Sequence, residues 1–573
     1  MGMHANLADD VTNRARALPR RIVDFLNRQR KPLTLTRIAA FLDLDVDAPN
    51  FLQAIITLRR EGALYADRGF RYASTFGSAA QLGTLRMSER GYGFVRIEGD
   101  ENDIHVPADS TGDAIDGDLV LVTDDKRRAR GDLRRGRVLG VADRPERTIV
   151  GTYQEGVGFA WIRPARQVLA DIQLVGVPQP GGTNSPRNGD RIVGVLEPIM
   201  PESAAPFVRF SRTLGNPADP WVDIESIVYE FGLPASFAPA LDAEAALLVE
   251  VARGESFEGR RDLRTETVIT IDPADAADID DAVSLTRDAA GNDVVGIHIA
   301  DVSHYVALGS GIDQEAARRG TSVYLPGRVI HMLPGTLSAG LCSLQPGADR
   351  LTMSVFVTLN NRSVPVATEY CASVIRSSAQ LSYEQVQEAL DDTEAKENPA
   401  RAHVDMLQRL AEITGRMTTS RIGLGALDFD IPEVRVEVNA DGRVETLRRR
   451  ERLVSHRIVE ELMLLANRVV AEKLAAEHYS LLYRVHSGPD PQKLRELEPL
   501  ALSIGQVIAP EGQTPTVRDL QSFLDGIRGN PIAPVLESLV IRSLPKAVYQ
   551  PDNIGHFGLA AEEYTHFTSP IRR

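Results

Sequence analysis

At 573 residues the chain has room for about four domains of roughly 150 residues each. Its 43% hydrophobic and 25% charged residues are ordinary for globular protein and exclude wholesale disorder, collagen-like repeats and coiled coils. With 64 basic against 79 acidic side chains the net charge is −15, which argues against a uniformly basic nucleic-acid binder but leaves local patches open. Cys342 and Cys371 are the two cysteines, too few for a secreted disulfide scaffold. Met1 to Arg21 holds no apolar run, and no uncharged apolar stretch is long enough to span a bilayer. The expected compartment is the cytoplasm, with no membrane partner.

Residues 1–80 read as short helices followed by a hairpin. Ile22, Phe25 and Leu26 have helical spacing, as do Ile38, Phe41 and Leu42, and then Leu52, Ile55 and Ile56. Leu64-Tyr65 and Phe70-Arg71-Tyr72 form the arms of a β-wing. Three helices and a wing make a winged helix-turn-helix, a shape that suits nucleic-acid docking and equally a packing module.

Residues 81–145 turn to short strands separated by Gly, Asp and Asn, the pattern of a small barrel. Tyr92 and Phe94 share a face of one strand with Arg96 in line. That set is either a stacking platform for single-stranded bases or the filling of the barrel. Gly91-Tyr92-Gly93-Phe94-Val95, followed by Asn102-Asp103-Ile104-His105-Val106-Pro107, resembles a cold-shock domain of the oligonucleotide-binding (OB) type. Lys126, Arg127, Arg128, Arg130, Arg134, Arg135 and Arg137 then place seven basic residues in twelve positions, suited to phosphate contact or to a solvated loop. Residues 146–230 repeat the β theme, with Phe159 and Trp161 again alternating on one strand, and read as a second, diverged barrel. Two barrels in tandem suit an extended single strand.

From about residue 260 the chain becomes one long α/β segment, and its chemistry is concentrated early. The β-branched strand Thr267–Ile271 runs into acids at 272, 275, 278, 280 and 281, and a second strand follows. Like charges this close repel unless cations join them, and carboxylates alone favour Mg²⁺, with Mn²⁺ possible. Such a site suits phosphodiester hydrolysis; a solvated acidic loop is the plain alternative.

Asp272, Asp278, Asp280 and Asp281 match the acidic signature of the ribonuclease II/ribonuclease R (RNB) family, and the likeness continues in order along the chain. It runs through Gly296–Ser303, Gly320–Pro326, Leu341–Leu344, Glu460-Glu461, Ala466-Asn467, Tyr483–His486 and His566–Arg573. The helix-turn-helix in front resembles the ribonuclease R branch. The resemblance implies a multidomain protein: winged helix-turn-helix over 1–80, cold-shock/OB barrels over 81–145 and 146–230, and an RNB catalytic domain over 231–573. It implies processive 3′→5′ hydrolysis to nucleoside 5′-monophosphates of single-stranded RNA, or of RNA with a 3′ single-stranded overhang. It assigns Asp272, Asp278 and Asp281 to the metal, Asp280 to the metal and the attacking water, and Arg572 to the phosphate. Tyr324 and Phe429 become the aromatics that hold the 3′-terminal bases, and Glu461 the contact to the terminal ribose. The rival expectation is a non-catalytic RNA-binding regulator on the same fold. Ser569-Pro570 announces a helix that the sequence barely begins, and the family's S1 barrel has no counterpart here. The expectation is therefore an incomplete, weakly active catalytic domain in which Arg572 is poorly held.

Overall fold

The computed structural model describes residues 18–573 except 30, 68–69, 101, 125–133, 166–168, 180, 183, 199–205, 255, 393–396, 428, 430–432, 440 and 509–514. The chain divides into two units, Met1–Leu233 and Pro234–Arg573. The first begins with helices over 18–27, Leu35–Leu42 and Pro49–Arg60, beside a three-stranded sheet of Leu33–Thr34, Arg71–Ser74 and Leu64–Ala66. The helical spacing read from the sequence buries Ile22, Ile38, Phe51 and Ile55 against Leu64 and Tyr72 in one core.

Five strands between Ala80 and Asp143 form the next sheet. His105 N–H donates to Arg134 C=O at 2.9 Å and brings its two edges together. Period-2 alternation turns Leu85, Val95, Ile104, Val106, Val120 and Val122 inward. The following five strands, Arg147–Gly156, Phe159–Pro164, Ile172–Val175, Arg191–Leu196 and Phe207–Gly215, close into a barrel. Ile172–Val175 and Phe207–Gly215 pair in parallel, and the other pairs are antiparallel. Gly151 is where two strands of this barrel crowd: a Cβ there would lie 2.3 Å from Arg163 C=O.

One ion pair of this unit is wholly buried. Arg144 donates from Nε and Nη2 to the two oxygens of Asp118 at 2.9 and 2.8 Å, and both side chains are 1% exposed. Burial pushes the Asp118 carboxyl up, and Arg144 counters it. Removing one partner leaves the other charge buried and uncompensated. Arg144→Ala is therefore expected to cost about 3–5 kcal/mol, and replacing both residues by apolar ones markedly less. Thermal unfolding of the single and double variants checks this; equal losses would show that the pair itself is unimportant.

The second unit is built on a mixed seven-stranded sheet. Its strands are β1 (Arg261–Asp262), β2 (Val268–Asp272), β3 (Asp281–Arg287), β4 (Asp293–Ala300), β5 (Asp349–Leu359), β6 (Pro365–Arg376) and β7 (Ala379–Ser382), in the order β1-β6-β5-β4-β3-β2-β7. The outer pairs β1/β6 and β2/β7 are parallel and the rest antiparallel. Helices α1 (Tyr383–Asp391), α2 (Val404–Gly423) and α3 (Val454–Ala476) cover one face, where Ile269, Ile271, Val283, Val295, Ile297 and Val355 meet Leu407, Leu410, Ile458 and Leu462. Alternate strand residues, Val268, Ala282 and Ala300 among them, belong to a second core that also takes in Leu333 and Ile571. His298 lies fully buried between Ser284 and Ser354, 3.0 and 2.7 Å away, and burial lowers its pKa to about 3. It is thus a neutral part of the sheet. A further helical cluster gathers Leu494, Leu497, Leu520, Phe523 and Leu536. Among the described residues no helix is long and apolar enough to cross a membrane.

Candidate active site

The acidic residues sit where β2 turns into β3. Their strands are held in register by Val268–Ser284 and Ile269–Val283 pairing, so the loop 273–280 leaves and re-enters the sheet at one end. That loop is pinned from several sides. Ser343 Oγ donates to Ala277 C=O at 2.6 Å and accepts from Ile279 N–H at 3.2 Å. Gln380 Nε2 donates to Ala276 C=O at 3.0 Å, and Ala300 N–H to Asp280 C=O at 2.9 Å. Ile279, fully buried, plugs the loop into the second core. The Leu341–Leu344 motif, which has no role readable in sequence, thus supplies Ser343 as the brace of the loop.

Asp272, Asp278 and Asp280 are buried, and Asp281 is partly so. Arg572 reaches into them. Its Nη2 lies 3.1 Å from Asp272 Oδ1, its Nε lies 3.2 Å from Asp280 Oδ2 and 3.7 Å from Asp278 Oδ2, and Nε and Nη2 both donate to Asp278 C=O. Ile571 N–H donates to Asp280 Oδ1 at 2.6 Å. Ser322 N–H and Thr321 Oγ1 donate to Arg572 C=O at 2.9 and 3.0 Å. Arg572 is therefore firmly held, which corrects the expectation of a loose guanidinium. Residues 569–573 make a single turn, closed by Arg573 N–H to Ser569 C=O. Carboxylates, backbone and the buried Ile571 hold the side chain in place of a long helix.

Burial raises the pKa of Asp272 and takes that of Asp280 to about 7, with Arg572 opposing both. Asp281 is pushed well up by burial and by the charges of Asp272 and Asp280. Burial also works against the charge of Arg572, but Asp280 and Asp272 outweigh it and keep the guanidinium protonated. One guanidinium thus faces Asp272, Asp280 and Asp281, three acids that burial disfavours as anions. Asp272 Oδ2 and Asp280 Oδ2 are buried with no hydrogen-bond donor. Hard, orphaned carboxylate oxygens are the chemistry a divalent cation takes. Among the described residues, no three acidic, His or Cys side chains already converge on a point that would hold a metal ion. The donor set suits a cation, and the oxygens that would bind it are engaged with, or turned toward, Arg572.

Tyr324, on the hairpin Val323–Leu325/Arg328–Ile330, brings its hydroxyl to Asp278 Oδ2 while half of the residue stays exposed. Its phenol is both buried at the tip and bonded to a carboxylate, which raises its pKa. Of the sequence-derived residues, Asp272, Asp278, Asp280, Asp281, Tyr324 and Arg572 meet in one place.

Glu461 does not join them. It is buried, with Arg421 at 2.7 Å and Thr418 Oγ1 at 2.9 Å, and lines a cavity of about 220 Å³ with Leu424, Leu465 and Tyr564. Its neighbour Glu460, one helical step away, shares a face of α3 with His456 and Asn467, at spacings of four and seven, and pairs with Arg452 at 2.7 Å. Phe429 is partly buried and packs against the helical cluster of Leu494 and Phe523.

In the first unit Tyr92 and Phe94 lie 5.7 Å apart edge to face, each 5.4 Å from His105. The barrel is filled by the aliphatic set instead, so these rings stand outside it. Arg96 is tied to Asp103. Phe159 and Trp161 stack at 5.3 Å on the second barrel, with Phe159 59% exposed. Of the basic run, Lys126, Arg127, Arg128 and Arg130 lie outside the described residues. Arg134 is engaged by Asp124 at 3.0 Å and by Asp100.

Comparison with known proteins identifies the family. Residues 260–573 match the family described as RNB domain, and residues 83–141 the one described as Ribonuclease B OB domain. The chain is 34% identical to Ribonuclease R of Thermotoga maritima over 524 residues, 91% of this chain and 73% of that protein. It resembles Mycoplasma genitalium RNase R, solved in complex with ribose methylated single-stranded RNA, with a TM-score of 0.77 at 26% identity, covering 86% of this chain and 77% of that one. Yeast Ssd1, a pseudonuclease, shares the fold with a TM-score of 0.63 at 21% identity, covering 87% and 67%. A fold shared with a pseudonuclease leaves the site residues to carry the case for chemistry.

Proposed function

The chain belongs to the RNB family and is a 3′→5′ exoribonuclease, and from that premise we propose that it hydrolyses single-stranded RNA processively, or RNA with a 3′ overhang, releasing nucleoside 5′-monophosphates with Mg²⁺. The observation that supports this reading is the meeting of four aspartates, Arg572 and Tyr324 at one end of the sheet. A non-catalytic regulator on this fold has no use for that set of acids.

Asp272, Asp278, Asp280 and Asp281 would hold the cation. Bound there, Mg²⁺ supplies charge for the phosphoryl oxygens and a more acidic water. Asp280 would hold the attacking water beside the cation. Arg572 would offer the planar fork of its guanidinium to the scissile phosphate. The exposed part of Tyr324 stacks on a terminal base, which is sequence-tolerant. Tyr92, Phe94 and His105 on one barrel, and Phe159 and Trp161 on the other, provide further stacking surfaces. The N-terminal helices and sheet are read as a winged helix-turn-helix and the compartment as the cytoplasm.

The test is release of 5′-monophosphates from a 3′-tailed RNA with Mg²⁺ and after chelation. Chelation should stop release while RNA stays bound; release that persists without divalent ions would sink the metal reading. For Tyr324, alanine should weaken the grip on the last nucleotides by about 1–3 kcal/mol per stacked base and lengthen the limit product. Phenylalanine keeps the ring and loses only the bond to Asp278, so it should leave product length alone. Sizing limit products on a gel decides the matter, and an unchanged length in the alanine variant would make Tyr324 a packing residue.

A further inference from the structure

Asn467 lies in the middle of α3, 4% exposed, on a helix whose neighbouring core positions are apolar. A primary amide buried there needs partners. It finds all of them on one stretch of chain. Its Oδ1 accepts from Phe567 N–H at 2.7 Å and from Thr568 N–H at 3.1 Å, and its Nδ2 donates to Tyr564 Oη at 3.1 Å. Three residues after Thr568, Ile571 N–H bonds Asp280, and the next side chain is Arg572. No regular strand or helix carries residues 562–573. Their position relative to the acidic loop is set by discrete anchors, and Asn467 ties them to the helix that packs on the sheet holding that loop.

We propose that Asn467 is a positioning residue for hydrolysis: it acts as a strut from α3 that sets where the Ile571 amide and the Arg572 guanidinium meet Asp280 and Asp272. It touches neither carboxylate nor substrate and works through the segment it holds. The other anchors hold neighbouring residues, not these two amides. Thr565 Oγ1 bonds Leu482 C=O and His566 bonds Tyr549 ahead of the pair of amides, Ser322 N–H bonds Arg572 C=O after them, and the Phe567 ring packs on the core, but the backbone amides of 567 and 568 themselves both donate to Asn467. An amide oxygen that receives two successive N–H groups fixes the direction of the chain as well as its distance. Loss of that fix shifts Arg572 without removing it, and a displacement of about 1 Å at a catalytic group costs on the order of a hundredfold in rate.

The inference rests on the exoribonuclease reading of the acidic site, so its test has an arm independent of turnover. In Asn467→Ala, amide exchange at 567–572 should quicken at least tenfold while the amides of α3 keep their protection. On a 3′-tailed RNA, kcat should fall about a hundredfold with KM within about twofold. Asn467→Asp, which keeps an oxygen for both amides, should restore most of kcat. The double variant Asn467→Ala/Arg572→Ala should be no slower than Arg572→Ala alone. Should Asn467→Ala not fold, Asn467→Ser takes its place, since a single short hydroxyl cannot serve both amides. Unchanged exchange at 567–572, a slowdown that Asp does not relieve, or a double variant slower than Arg572→Ala would each overturn the strut. A wild-type chain that binds RNA without cleaving it would sink the catalytic reading instead, and the exchange arm would still judge the strut.

Discussion

Asp280→Asn is expected to lower the single-turnover rate by at least about a hundredfold while RNA binding survives. The substitution is nearly isosteric. Its amide oxygen can still accept from Ile571 N–H, so the backbone contact that closes the site is kept. What is lost is the carboxylate oxygen that now lies buried, without a hydrogen-bond donor, 3.2 Å from the Arg572 guanidinium. In its place stands an amide NH₂ that repels both a guanidinium and a cation and takes no proton from water. The stacking surfaces of Tyr324 and of the two barrels are untouched. Digestion of a 3′-tailed RNA, with filter binding alongside, separates chemistry from capture, and near-normal turnover would remove Asp280 from the mechanism.

The same variant carries a stability signature. The Asp280 carboxyl has a pKa of about 7 in the folded chain, against about 3.9 when unfolded, because burial disfavours the anion. A raised acid pKa means that ionisation opposes folding. The associated stability is full below the unfolded value and is lost as pH rises through the folded one. With divalent ions chelated, wild type should therefore lose thermal stability between about pH 4 and pH 7, and Asp280→Asn should lose less over that window. A variant that melts well below wild type at pH 8 would show that the carboxylate is compensated better than its burial suggests.

What the sequence revealed and what it hid follow from the range of the interactions. The acidic loop was legible because its two strands are β-branched, adjacent and antiparallel, and the Asp spacing is local. The outward face of Tyr92 and Phe94 was half legible: alternation puts them together, but only the aliphatic filling by Leu85, Val95 and Ile104 decides which side is out. Glu461 lies on α3 away from the acidic loop, paired with Arg421, and the sequence does not show that partner. Adjacent helical positions point about 100° apart, so a Glu-Glu pair does not say which member is buried until the helix is docked on the sheet. Phe429 packs on a helical cluster at 494–536, a contact that no local pattern around it announces. The hold on Arg572 was hidden most deeply. It depends on contacts with Asp272, Asp278 and Asp280 across about three hundred residues, where local helix propensity, the only signal available, says the opposite.

Arg572 gives the sharpest division between charge and shape. Arg572→Ala should both stop hydrolysis and destabilise the fold, because Asp272, Asp278 and Asp280 lose a shared cation in a buried place. A fully buried pair broken on one side costs about 3–5 kcal/mol; with 28% of its side chain exposed, Arg572 should fall at or somewhat below the lower end of that range. Protonation of the strained acids softens the loss, so the drop in melting temperature should be smaller at pH 6 than at pH 8. Arg572→Lys keeps the charge and loses the fork. An ammonium has no counterpart to Nε, which bonds the Asp278 carbonyl and lies 3.2 Å from Asp280 while Nη2 serves Asp272, and it cannot present two parallel donors to a phosphate. Lysine should thus recover most of the stability and little of the rate, leaving turnover down by about a hundredfold. Melting curves at the two pH values, beside single-turnover rates for wild type, Lys and Ala, read both axes. Wild-type turnover in the lysine variant would mean that only charge is needed at this position. A wild-type melting temperature in the alanine variant would mean that the carboxylates are neutralised by protons rather than by Arg572, and the site would then be a proton-sharing cluster rather than an ion-paired one.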